Sequence, residues 1–118
     1  MDRHLVEKNI GKAQDVLLKA FPSGKAEKML RSKMSAFGAA VRMSGPLPAI
    51  AYYKENEPGI VKLLAGMYDT TDDKLFSTVR ESLTKNRTAA VEKLLAYSVS
   101  LKMAFNLFTL TESATGKE

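Results

Sequence analysis

Leu94-Leu-Ala-Tyr-Ser-Val-Ser-Leu-Lys-Met-Ala-Phe-Asn-Leu-Phe-Thr-Leu110 is the stretch that decides the fold. On a helix at about 100° per residue, Val91, Leu94, Leu95, Leu101, Phe105 and Phe108 make one face. Ala96, Met103, Leu107 and Leu110 lie around the other. A helix that is apolar on nearly every side belongs at the centre of a bundle or against a partner chain. The stretch is slightly short for a membrane span and contains Lys102, Asn106 and three hydroxyl residues. A buried helix from about Arg87 to Thr111 is therefore expected, with Asn86 as its cap.

Five more helical segments precede it, and no run alternates as a strand would. Arg3 to Phe21 is amphipathic, with Leu5, Ile10, Ala13, Val16, Leu17 and Ala20 apolar; Pro22-Ser-Gly24 ends it. A second helix is expected from about Lys25 to Met43, with Ala26, Leu30, Phe37 and Val41 on one face. Gly45 suits the left-handed residue after it, and Pro46 and Pro48 open a short third helix, Leu47 to about Lys54. Pro58 begins a fourth, Gly59 to Tyr68, with Ile60, Leu63, Leu64 and Met67 inward. Thr71 or Asp72 can cap a fifth, about Lys74 to Leu83, burying Leu75, Val79 and Leu83 with Phe76 alongside. The expectation is an all-α compact bundle of five to six helices. Residues 1–118 form one domain, with 113–118 as a flexible tail. A chain of this length can bury roughly two-thirds of its unfolded surface, enough for one core.

Charge is unevenly placed. Residues 19–54 hold Lys19, Lys25, Lys28, Arg31, Lys33, Arg42 and Lys54 against the single acid Glu27. The rest of the chain is nearly balanced, so essentially all of the net +5 sits here. Lys28, Arg31, Ser35 and Arg42 fall within about 60° of one another on the second helix, off its apolar face. Two of those three cations are arginine, which pairs well with phosphate. Lys25, Lys33 and Lys54 add to the field. Such a one-sign stripe suits a polyanion, an acidic protein surface, or simple solvation.

Several chemistries lack their residues. Without cysteine there is no disulfide, thiolate site or thiol nucleophile, which fits a reducing, cytoplasmic setting. The single histidine, His4, lies near the terminus, where a catalytic group is hard to hold rigidly. No P-loop, GxGxxG, HExxH or EF-hand loop is present, so no cofactor, metal site or enzymatic role is expected. Asp72-Asp73 suits a helix N-terminus better than a carboxylate pair. Of Tyr52-Tyr53, one is expected in the core and the other is available to stack on a base. Asp2, Glu7 and Lys8 interrupt any apolar leader.

Three short patterns together resemble the small helical subunit of the type III-B CRISPR effector, the RNA-guided Cmr complex. They are Arg31-Ser32 on a helix, the Ser44-Gly45 corner, and Ala49-Ile50-Ala51-Tyr52 beyond it. Glu7-Lys8 followed by Ala13, and Leu94-Leu95 through Leu101-Lys102, extend the likeness over most of the chain. The chain departs from that family at Phe37-Gly38, where Leu-Pro is common, at Ser100, where tryptophan is common, and at Pro46 and Pro48. A type III-A or type I small subunit stays open as well. The resemblance implies a non-catalytic subunit in antiviral defence. It would stack with its own kind inside the effector filament, contact the other Cmr subunits, and line the groove where guide RNA meets target RNA. Lys28, Arg31 and Arg42 would then touch phosphates. A helical adaptor that binds only protein is the competing expectation.

Overall fold

The computed structural model describes residues 3–111. Six helices follow one another: α1 (Arg3–Ala20), α2 (Lys28–Ser44), α3 (Pro46–Asn56), α4 (Pro58–Met67), α5 (Asp72–Lys85) and α6 (Arg87–Ala104). Two short strands are also present: β1 (Lys25–Glu27) precedes α2, and β2 (Thr109–Thr111) closes the described chain. The all-α bundle expected from the sequence is therefore present, and α6 is its centre. It touches α1, α2, α4 and α5.

The core explains that arrangement. Leu94, Leu101 and Phe105 are fully buried, as are Leu17, Met34, Phe37, Ile50, Ile60, Leu64, Met67 and Leu75 from the other helices. Each such side chain contributes on the order of 2 kcal/mol by leaving water. Ala96, Ser98, Ser100 and Ala104 let neighbouring helices approach α6 closely. The Ser100 hydroxyl donates to the Ala96 carbonyl at 2.7 Å, with the α1 carbonyl of Val6 at 3.3 Å as a second acceptor. Burying that hydroxyl therefore leaves no unmet hydrogen bond.

The corners follow from residue chemistry. Asn86 accepts from the Ala89 amide at 3.1 Å and caps α6 as expected. Thr71 stands at the N-cap of α5, but its side chain makes no capping bond. Gly45 has φ +97° and ψ 161°, and its amide donates to the Val41 carbonyl at 2.9 Å. Pro46 then opens α3, where a missing amide hydrogen costs nothing.

Two expectations need correction at the ends of the long helices. The final helix does not reach Thr111. It stops at Ala104, makes a 3-10 turn over Phe105–Leu107, and continues as β2. Phe105, at the start of the 3-10 turn, and Phe108, the extended residue just after it, are both buried. The second helix begins at Lys28 rather than Lys25, because residues 25–27 pair in parallel with 109–111. Ala26 is buried there as a strand residue, not a helical one. The Thr109 amide donates to the carbonyl of Gly24, itself at φ +79°. The tail expected at 113–118 lies outside the described residues.

Candidate nucleic-acid interface

Four sides of α2 have different jobs. Met34, Phe37 and Val41 face the core. Arg31, Ser35, Gly38 and Arg42 recur every three or four residues on the flank beside α6. Lys33 lies about half a turn away, on the opposite flank. Met29, Ser32, Ala36, Ala39 and Met43 are exposed on the outer side.

The helical geometry divides the six cations read from the sequence. Lys33 donates to Glu57 at 2.9 Å, and Lys54 donates to Asp73 at 3.1 Å. Lys25 is exposed on β1, and Lys28 is exposed at the start of α2. Only Arg31 and Arg42 enter a furrow between α2 and α6. There they meet Lys102, the lone charge of the apolar stretch 94–110.

This furrow has an outer part of about 600 Å³, lined by Arg31, Ser32, Ser35, Lys102, Met103 and Asn106, with Val99 as a further wall. A recess of about 210 Å³ adjoins it along the two helices, sharing Ser35, Val99 and Lys102, with Gly38, Arg42 and Ser98 in its lining. Among the described residues, no carboxylate lines either part. The Arg31 guanidinium donates to the neutral Asn106 amide oxygen at 2.6 Å. Among the described residues, neither Arg42 nor Lys102 has an ion-pair partner. A second furrow of about 670 Å³ between α1 and α4 differs in kind. Asp15 and Asp69 line it along with Lys12, Lys19 and Lys62, and Lys12 already donates to Asp69 at 2.7 Å.

Guanidinium, ammonium, hydroxyl and amide groups around the α2/α6 furrow are donors for an oxyanion. Lys102 and Asn106 escaped the sequence reading because they lie some seventy residues beyond Arg31. One signal for Lys102 existed: the lone charge of the apolar stretch 94–110 must emerge on an open side of the bundle. The tyrosine pair divides as expected, with Tyr53 packed on Phe37 at 5.1 Å and Tyr52 62% exposed. Among the described residues, no cluster of three or more histidine or carboxylate side chains could hold a metal ion. None of the described helices is long and apolar enough to cross a membrane.

Fold and furrow together define a small all-α protein with a basic groove between two helices. Compared with known proteins, the chain matches no family model, no curated protein and no solved structure.

Proposed function

We propose that this chain is a non-catalytic small subunit of a type III-B CRISPR (Cmr) RNA-targeting effector complex in the cytoplasm. It would stack in the filament and contact the backbone of guide or target RNA. The observation that carries the reading is the α2/α6 furrow, whose cations have no carboxylate beside them among the described residues. The residues of the resemblance fall in useful places. Arg31-Ser32 and Lys102 meet in the furrow, and Gly45 turns α2 into α3. Lys28 extends the cationic flank by one turn, and Lys25 lies beyond it on β1. Lys33 and Lys54 would act only through the long-range field, since each is already paired.

Fluorescence anisotropy of labelled RNA across a salt series tests this function. Wild-type protein is expected to bind with little sequence preference and strong salt dependence. The Lys28→Ala/Arg31→Ala/Arg42→Ala protein should lose binding, each lost phosphate contact flattening the log–log salt slope by about 0.7 for single strands. Binding that is indifferent to the triple substitution would refute the role of this face.

A second reading, an adaptor that meets only protein, rests on the outer side of α2. Met29, Ala36, Ala39 and Met43 form an apolar stripe there, and Met43 is 87% exposed. If that is the whole function, assembly with the partner should proceed identically with and without RNA. In a Cmr complex, or a related type III-A or type I complex, the same stripe would serve the subunit contacts.

A further inference from the structure

The furrow is more specific than a basic surface, and its floor carries the difference. A strand held only by its phosphates needs cations and hydroxyls. It has no use for an apolar seat or for a recess. Here Val99 and Met103 lie between the cations, and Met103 is 48% exposed. At the adjoining recess, residue 38 presents no side chain. A Cβ built there would sit 3.5 Å from Ser98 Oγ and 4.0 Å from the Arg42 guanidinium. A larger side chain would fill the space that Arg42 and Lys102 now border.

We propose that the α2/α6 furrow is a nucleotide site for single-stranded RNA. One phosphate enters the recess over Gly38, between Arg42 and Lys102, and the attached base lies on Val99 and Met103 with its edge at Asn106. This rests on the RNA reading above and adds a strand form and a base contact to it. Three features favour such a ligand. Arg31 and Arg42 are eleven residues apart, about 16 Å along α2, so the cations cover more than one phosphate. Among the described residues Arg31 is bonded only to a neutral amide, so an arriving phosphate gains a charged partner without breaking an ion pair. Turning Arg31 toward phosphate frees the Asn106 amide, which can donate to and accept from a base edge. A duplex keeps its bases stacked inside and can present only its backbone. A single strand can turn a base onto the apolar floor.

The test uses the full chain and short RNAs carrying one 2-aminopurine, whose fluorescence rises when the base leaves its stack. Gly38→Leu closes the recess while keeping every charge. Met103→Ser removes part of the floor, and Lys102→Gln removes one of the two recess cations at an exposed position. Thermal melts verify folding. The expected result is tighter binding of single strand than duplex, with 2-aminopurine brightening on binding. Gly38→Leu and Lys102→Gln should each weaken binding about tenfold. Met103→Ser should abolish the brightening with the salt slope unchanged.

Equal affinity for duplex and single strand, with silent 2-aminopurine, would overturn the nucleotide site while leaving backbone binding intact. A parallel arm titrates adenosine monophosphate and inorganic phosphate while amide NMR shifts are followed. Shifts at Gly38, Val99 and Met103 with the nucleotide, and at Gly38 alone with phosphate, support the site even if isolated protein holds RNA weakly. If neither RNA nor nucleotide moves these amides, both the site and the RNA reading of this face fall.

Discussion

Gly45 and Gly66 do opposite things with the same missing side chain. At Gly45 the backbone, at φ +97° and ψ 161°, occupies a region essentially closed to other residues. Space is not the constraint, since a Cβ would meet Pro48 at an ordinary 3.7 Å. Gly45→Ala should therefore lose about 1–3 kcal/mol in urea denaturation, and replacing Pro48 should not recover it. At Gly66 the backbone is an ordinary helix, but a Cβ would come within 3.0 Å of Val16 Cγ1 on α1. Gly66→Ala gains helix propensity and pays in overpacking, for a net loss of about 1 kcal/mol. Val16→Ala in the same chain should relieve that crowding, so a double-mutant cycle should show strong coupling between the two positions. Gly45 was legible from the proline-flanked corner around it. Gly66 was not, because its constraint comes from a valine fifty residues earlier in the chain.

Among the elements, α6 shows where periodicity stops being informative. Its start was legible, because Asn86 precedes a long apolar run and caps it through Ala89. Asn86→Ala should cost about 1 kcal/mol in thermal or chemical unfolding, and Asn86→Asp should retain most of the stability. Its end was not legible. Leu107 and Leu110 fit the helical pattern, yet the chain leaves the helix at Ala104. Helical spacing cannot reveal that Phe108 buries from extended backbone just after a 3-10 turn. It also cannot reveal that Thr109–Thr111 has a strand partner more than eighty residues upstream. Each strand has only three residues, too few to show a period of two.

Over the whole molecule, charge and burial were only partly readable together. Composition located the cations on residues 19–54. Folding then paired Lys33 and Lys54 with acids later in the chain, Glu57 between α3 and α4 and Asp73 in α5, and brought Lys102 to the two arginines. Three tyrosines also link charge to global stability. Burial is the main cause raising the pKa of Tyr68, Tyr97 and Tyr53. Tyr68 and Tyr97 pack edge to face at 4.8 Å, with the Lys93 ammonium over both rings. In the unfolded chain these phenols titrate near about 10. Below that pH both states keep the proton. Above it the unfolded chain releases protons that the folded one retains, so stability should fall from about pH 10 upward. Urea midpoints measured from pH 8 to 11 should decline, and Tyr68→Phe should decline less steeply.

The bond from Arg31 to Asn106 crosses most of the chain, and with it the furrow has walls drawn from both ends of the folding unit. A fragment ending at Lys85 would keep every cation of residues 19–54 and yet possess no furrow. Occupancy of the groove is thus thermodynamically linked to completion of the tertiary structure. Any anion that settles there draws the unfolded population toward the native one, by an amount set by its concentration relative to its dissociation constant.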